Sequence, residues 1–447
     1  MVWLGWVSVV VLGCVKTIDG EGAQTPQRLV DPGVTDPVAS FQRAKSEGSL
    51  DPQTCQRYAD AFDYRFQQSG APIHRFNAGV VWEACNQPQR AAAAYQDVVR
   101  VDPEFALAHN NLGTLAYQVD RVDEAIGHYQ RALKAQPTAI PPRHNLAHIH
   151  RERYLDTGRV AEFDNAQRRL QEVLAVDSDN LEAYEGLARL YYDRAQAGER
   201  SYVLLANLVI TQAQRREQVG GNGSAELWNL RGLLAVMQRE PTRALQSFEE
   251  AITRDPDHVD ARLNAALIEL ELRNFEEARE NLEVAAKLAE GSRATETALA
   301  LGVARRGLRD YAGAEQAYAR AKKLSAADPR ALYNMGVLYQ DHIGPAQDSD
   351  GLRENEIARE RFQRFLEQAG AEPRYAAAVA SAKTRVANID EYEAILKTQT
   401  DLEAEVRRLE ALERREREKR RKELLELERD AQEALKAQEA SVPALAD

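Results

Sequence analysis

The chain has 447 residues, with 58 Lys and Arg against 70 Asp and Glu, for a formal net charge of −12. That acidic balance argues against a nucleic-acid protein, which needs a basic face for phosphate. Gly (25) and Pro (16) both fall below average usage, which excludes collagen-like and low-complexity chains and favours long helices, and three cysteines are too few for a disulfide scaffold.

The chain opens with an apolar run from Val2 to Leu12, interrupted only by Gly5, Ser8 and the indoles Trp3 and Trp6. It is shorter than the ~20 apolar residues a membrane-spanning helix needs and has the length of a signal-peptide core. The run ends in Val11-Leu12-Gly13-Cys14, which resembles a bacterial lipobox: an aliphatic residue, a tolerant position, a small residue, then Cys. The resemblance implies cleavage before Cys14 and acylation of its sulfur and new amine, with several chains together giving a firm anchor. With Val15 rather than Asp next, it also implies the outer membrane. One departure is that the first basic residue is Lys16, whereas signal peptides open with Lys or Arg. The alternatives are an ordinary cleaved signal or an apolar N-terminal helix. Residues 1–13 are thus read as a lipoprotein signal peptide and 14–38 as a lipidated N-terminus and tether. From Thr17 to Val38 the chain is rich in Gly, Pro, Asp and Thr without any period, a flexible coil of about 25 Å.

Residues 39–71 are read as a leading-helix region, in which Asp51 caps a helix running to Gln68 with Pro52 at its first position. A 34-residue period then takes over, set by Pro103 and Pro137. Before Pro137 stand Ala132, Tyr129, Ala125, Gly113 and Leu112; before Pro103 stand Val98, Tyr95, Ala91, Gly79 and Ala78; before Pro256 stand Ala251, Phe248, Ala244, Gly232 and Trp228. This resembles the tetratricopeptide repeat (TPR), with small residues at positions 8 and 20, an aromatic at 24 and Pro at 32. The small residues let two antiparallel helices approach, the aromatic fills the gap, and Pro turns the chain into the next repeat. The expected fold is all-α, a superhelical solenoid of about eight helix pairs over residues 72–372. The repeats begin near Pro72, Ala106, Ile140, Leu181, Ala225, Val259, Thr295 and Pro329. The third carries a seven-residue insertion around Tyr154–Val160, the fourth is stretched, the sixth loses its Pro, and the eighth carries an insertion through Gly344–Leu352. Residues 373–389 are read as a capping helix.

The last segment, 390–447, is a charged tail in which 29 of 58 residues are charged. Ile395, Leu396, Leu402, Val406, Leu409 and Leu412 form an apolar stripe, Glu413 to Glu423 are all charged, and Leu424, Leu427, Ala431 and Leu435 resume the stripe. Mixed signs permit many i,i+4 pairs, so the tail reads as a solvated helix or, with a partner, a coiled coil.

In tetratricopeptide families the first helices face a concave surface. Carried over position by position, the resemblance implies a partner-binding face formed by Phe76, Val80, Asn110, Thr114, His144, His148, Asn229, Leu233, Leu263, Leu267, Leu299, Val303, Tyr333 and Val337. The alternative is that these side chains pack between repeats. Asn110 and Asn111 resemble the peptide-clamping asparagines of chaperone-binding members, without the Lys and Arg partners clearly in place. His144 and His148 at i and i+4 have metal-compatible spacing but lack the Glu of a His-Glu-x-x-His motif, so the reading is a solvated or partner-facing pair with no metal and no cofactor. Cys55 and Cys85 are the cysteines left after Cys14; in the oxidising compartment the lipobox implies, they are expected to form a disulfide, the alternative being two free thiols.

The layout of lipobox, tether, repeats and charged tail is similar to the tetratricopeptide lipoproteins of myxobacterial gliding motility. It implies a non-enzymatic, lipid-anchored scaffold on the periplasmic face of the outer membrane. Protein partners would bind the concave face and the tail, and nucleic acid would not bind. A pilotin or assembly lipoprotein for a secretin or β-barrel protein is the alternative; those tend to have fewer repeats and no long charged tail. No segment outside the repeats suits a catalytic domain.

Overall fold

The structure, a computed structural model, describes residue 34 and residues 36–220, 223–344 and 351–440. The lipobox and Cys14 lie outside the described residues. The chain divides into two compact units, Met1–Ala300 and Leu301–Asp447, and among the described residues it is helical throughout, without a strand.

The first unit opens with α1 (Pro37–Ser46) and α2 (Pro52–Ser69). Each starts the way its sequence dictates. Asp36 accepts from the Ala39 N–H and Asp51 from the Thr54 N–H at 2.7 Å, with Pro at the head of both helices. The leading region is therefore two helices rather than the single one expected. α1 holds its place because Phe41 and Ala44 are buried, with Phe41 edge-on to Tyr58 at 6.0 Å.

Helix pairs follow: α3 (Pro72–Ala84) with α4 (Pro88–Val101), α5 (Ala106–Gln118) with α6 (Val122–Ala135), α7 (Pro141–Thr157) with α8 (Val160–Val176), α9 (Leu181–Gln196) with α10 (Tyr202–Gly220), α11 (Ala225–Met237) with α12 (Pro241–Arg254), and α13 (Val259–Glu271) with α14 (Phe275–Leu288). Helix α15 (Gly291–Gly307) runs across the boundary between the units. It begins four residues before Thr295. The sixth repeat has lost its proline, so nothing breaks the helix at its usual start.

The regular pairs have helices of 13 and 14 residues; α7 and α8 have 17 each. The seven inserted residues of repeat three are thus taken up as about one turn in each arm, which keeps both buried faces in phase. The turn between the paired helices needs a left-handed residue. Asn86, Asp120, Arg239, Arg273 and Arg309 occupy it with φ between 55° and 64°, and Gly158 does so in repeat three.

Each pair closes on one recurrent contact. A Cβ at Gly79 would lie 2.5 Å from Tyr95, at Gly113 2.7 Å from Tyr129, and at Gly232 2.3 Å from Phe248. Where position 8 is alanine, position 24 is aliphatic: Ala147 with Leu170, Ala188 with Ile210, Ala266 with Leu282, all buried. Volume added on one helix is removed from the other, as a close-packed interior requires.

The second unit repeats this with Gly302 under Tyr318 of α16 (Tyr311–Leu324) and Gly336 of α17 (Arg330–Leu338) under Phe362 of α18 (Leu352–Ala369). Helix α17 continues as a π-helical turn, Tyr339–Ile343. The last helix, α19 (Ala376–Ala440), has no break at residue 390, so capping helix and tail are one element. Its first part is anchored. Ala382 and Ile389 are buried, Tyr333 donates to Ser381 at 3.0 Å, and Arg359 pairs with Asp390 at 2.9 Å. From residue 397 to 437 every side chain is exposed. No helix among the described residues is long and apolar enough to cross a membrane.

Candidate partner-binding surface

In the first unit, the first helices of successive repeats touch one another, α5 to α7 to α9 to α11 to α13, while the second helices make no comparable contact. The first helices therefore line the inner side of the stack. Their exposed residues are the candidate docking surface.

Most residues expected on that surface are sunk into it. Phe76, Val80, Asn110, Thr114, Asn229, Leu263, Leu299 and Val337 are all buried. Phe76 packs between the rings of Tyr95 and Phe105 at 5.4 and 5.3 Å, in a cluster that includes Phe41 and Phe62 of the leading helices. Thr114 shares a hydrogen bond with the Tyr129 hydroxyl at 3.2 Å. The asparagines tie repeats together. Asn145 donates to Asn110 at 3.3 Å, Asn111 donates to the Tyr95 hydroxyl at 3.0 Å, and Asn264 donates to Asn229 at 2.9 Å. Position 5 is where neighbouring first helices meet, so its side chains interlock instead of facing a ligand. Leu233, Val303 and Tyr333 are half-buried, and Tyr333 packs on Phe362 and Phe365. Leu267 is 46% exposed, and Val236, which the sequence reading passed over, is 42% exposed.

The two histidines at i and i+4 do not converge on a common ligand position. His144 Nε2 meets Asn180 Oδ1 at 3.2 Å and Glu182 at 3.7 Å, whereas His148 Nε2 lies 3.4 Å from Glu152. Among the described residues no group of three or more His, Cys, Asp or Glu is placed to hold a metal. Cys55 and Cys85 are joined in a disulfide with Cα atoms 6.2 Å apart, fastening α2 to the end of α3.

The sequence reading missed a charged ladder that crosses repeat boundaries on this inner side. Tyr117 donates to Glu152 of the next repeat. Arg151 pairs with Asp193 at 2.6 Å, Arg189 with Glu226, and Arg293 with Asp260 at 2.6 Å. His258, which also caps α13 through Ala261, reaches back to Glu226 at 3.2 Å. Burial works to raise the Glu226 carboxyl, but Arg189, His258 and Asn229 outweigh it and hold it below the usual range. Glu185 goes the other way. Burial lifts it, the Ser224 hydroxyl opposes, and the neighbouring charges of Glu226 and Glu182 add to the rise. The signal was present in part: Glu182, Glu226, Asp260 and Glu296 all stand at position 2 of their repeats, a carboxylate in four successive repeats. Leu233 and Val236 share α11 with Glu226, and Leu267 shares α13 with Asp260; charged and aliphatic side chains on such neighbouring first helices can recognise a peptide or protein segment.

A family model described as tetratricopeptide repeat matches residues 85–140 and 229–293. Among curated proteins, human Protein O-mannosyl-transferase TMTC3 is 24% identical over 203 residues, which is 43% of this chain and 21% of that protein. The chain thus spans about a fifth of the length of the curated relative it matches. Among solved structures, a tetratricopeptide repeat protein from Parabacteroides merdae is similar at 13% identity, with a TM-score of 0.45, covering 60% of this chain and 97% of that one. Pseudomonas aeruginosa pilF gives 14% identity and a TM-score of 0.37, covering 59% and 95%. Human IFIT1, solved with m7Gppp-AAAA, gives 17% identity and a TM-score of 0.48, covering 79% and 83%. The chain carries tetratricopeptide repeats, a fold that generally serves as a non-catalytic scaffold for protein–protein contacts.

Proposed function

We propose that this chain is a lipid-anchored docking scaffold of the bacterial envelope. Cys14 would hold it to the periplasmic face of the outer membrane, while its repeats and charged tail gather protein partners into an envelope-spanning complex such as the gliding motility machinery. The observation that carries the docking role is the inner side of the first unit, where exposed Val236 and Leu267 lie on the same helices as Glu226 and Asp260, and Arg189 of the preceding first helix pairs with Glu226. A surface that is aliphatic and charged in adjacent stripes suits an amphipathic segment of another protein. The long exposed stretch of α19 supports a second contact. The anchor rests on Val11-Leu12-Gly13-Cys14.

The test is fractionation and crosslinking from membranes with the wild type, Cys14→Ala and a chain ending before Asp390. The proposal expects a lipid on Cys14, release of Cys14→Ala from membranes, and capture of motility-complex subunits. Secretin subunits in the pull-down would favour the pilotin reading instead. A Cys14→Ala protein that stays with membranes, beside a wild type carrying no lipid, overturns the anchor.

A further inference from the structure

Beyond its anchored part, α19 carries one continuous stripe. Leu402, Val406 and Leu409 open it, Glu413, Glu416 and Arg420 continue it, and Leu424, Leu427 and Ala431 close it. Each step is three or four residues, so the whole set stands on one side of the helix. The two consecutive steps of four, on either side of Arg420, are a stutter in an otherwise heptad-like run. Leu402, Val406, Leu409, Leu424 and Leu427 are each more than half exposed. The anchored part uses the other side of the helix. Val379, Ala382, Val386 and Ile389 belong to the cluster around Phe362 and Phe365. Ile389 and Leu402 are 13 positions apart, about 220° round the helix at ~100° per residue. A second helix can therefore lie along the stripe while the anchor keeps its contacts.

We propose that this stripe is covered by α19 of a second copy of the chain, running antiparallel, with the two-fold axis between Glu416 and Arg417. That register sets Leu409 against Leu424, Val406 against Leu427 and Leu402 against Ala431 of the other copy, and symmetry repeats each contact beyond the axis. At the centre it sets Glu413 against Arg420 and Glu416 against Arg417. Within one chain the same four residues pair as Glu413–Arg417 at 3.4 Å and Glu416–Arg420 at 3.7 Å. Across the two copies they close into rings of alternating charge. A parallel pair in register would instead put Glu413, Glu416 and Arg420 each against its own like. The charged centre thus selects both direction and register, as polar residues in a coiled-coil seam do. A wholly apolar helix of another protein would leave these charges without opposites, which is why a second copy is the better occupant. The rim is less favourable. Glu403 and Glu405 stand near Glu428 and Asp430 of the other copy, so the pairing is expected to depend on concentration. The inference rests on the reading of α19 as a contact arm and is independent of the anchor at Cys14.

The chain from Val15 onward, which has neither the apolar run nor a lipid, is sedimented at concentrations of about 1–100 μM. The expected result is a dimer that dissociates on dilution and is absent from the chain ending after Leu396. Arg420→Glu weakens it by about tenfold or more, and Glu413→Arg does the same. The double variant Glu413→Arg, Arg420→Glu regains most of that loss, although both substitutions still spoil the pairs with Arg417 and Glu416 inside the helix. Leu409→Cys mixed with Leu424→Cys gives a cross-linked heterodimer on oxidation, whereas Leu409→Cys alone does not cross-link. A chain monomeric throughout that range, a dimer that survives removal of the residues after Leu396, a double variant no tighter than the single ones, or self-cross-linking of Leu409→Cys overturns the proposal. None of these outcomes bears on a lipid at Cys14 or on the capture of envelope subunits, so the scaffold reading stands or falls separately.

Discussion

Gly232 on α11 lies so close to Phe248 on α12 that a methyl group added to the glycine would stand 2.3 Å from the ring edge. Gly232→Ala is expected to destabilise this helix pair by about 1–3 kcal/mol through overpacking, less the roughly 1 kcal/mol that alanine returns in helix propensity. Phe248→Leu alone leaves a void and also destabilises. The two together reproduce the buried Ala266 and Leu282 of the next repeat. The double variant is therefore expected to be more stable than the sum of the single changes allows. Hydrogen exchange of α11 and α12, with thermal melting, checks this; strictly additive losses would show that the pairing of sizes is coincidental.

Glu226 joins three repeats through Arg189 and His258. Its folded pKa is depressed, so its contribution to stability is present above the ordinary carboxylate range and lost as pH falls through the folded value. Glu226→Gln removes the Arg189 ion pair but leaves the charges of Asp193, Asp260 and Glu185 near that arginine; because the Arg189 side chain is 38% exposed, the expected cost is only about 1 kcal/mol at pH 7. The difference from wild type should shrink as pH falls below about 4.5. Urea unfolding of both proteins at pH 7 and pH 4 measures it. A gap that widens in acid would contradict the sign.

The local motif was legible in the sequence because each of its contacts falls inside one 34-residue repeat. Gly79 with Tyr95 and Gly113 with Tyr129 are spaced by a single turn-linked helix pair, so their sizes read directly. The candidate surface was less legible for two physical reasons. Position 5 lies at the seam between neighbouring first helices, and a single sequence does not distinguish an asparagine that clamps a peptide from Asn110, which is held by Asn145. The charged ladder joins residues 32 to 42 positions apart, such as His258 with Glu226 and Arg151 with Asp193. No local period announces such a pair. The continuity of α19 was hidden differently. The change in composition at residue 390 marks where burial ends, while the backbone continues as helix.

The Cys55–Cys85 disulfide closes a 30-residue separation across α2 and α3. Cross-links over loops of that length stabilise by about 3–4 kcal/mol, mainly by restricting the unfolded chain. Cys55→Ser with Cys85→Ser, or reduction of the wild type, is expected to lower the melting temperature and to speed hydrogen exchange in α1 and α2, whose Phe41, Tyr58 and Phe62 share one cluster with Phe76. Exchange that stays unchanged in those helices after reduction would show that packing alone holds them.

Two truncations of α19 separate anchor from arm. Ending the chain after Leu396 keeps buried Ile389 and the Arg359 pairs with Asp390 and Glu393, so the melting of the remaining fold should not change. Ending it before Asp390 strips Arg359 of both partners and should lower stability by about 1 kcal/mol. The removed stretch, Lys397 to Ala440, would span about 65 Å as a continuous helix. Its backbone is supported by Glu403–Arg407, Glu413–Arg417 and Glu416–Arg420, each with the carboxylate toward the N-terminus, the favourable order. These exposed pairs are worth about 0.3–0.5 kcal/mol each and are screened by salt. The circular-dichroism difference between the full chain and the Leu396 truncation should therefore carry the signal of a long helix at low ionic strength and shrink in about 1 M salt, where the Debye length is about 3 Å. A difference insensitive to salt would mean that packing along the stripe of Leu402, Val406 and Leu409, and not ion pairing, holds the arm.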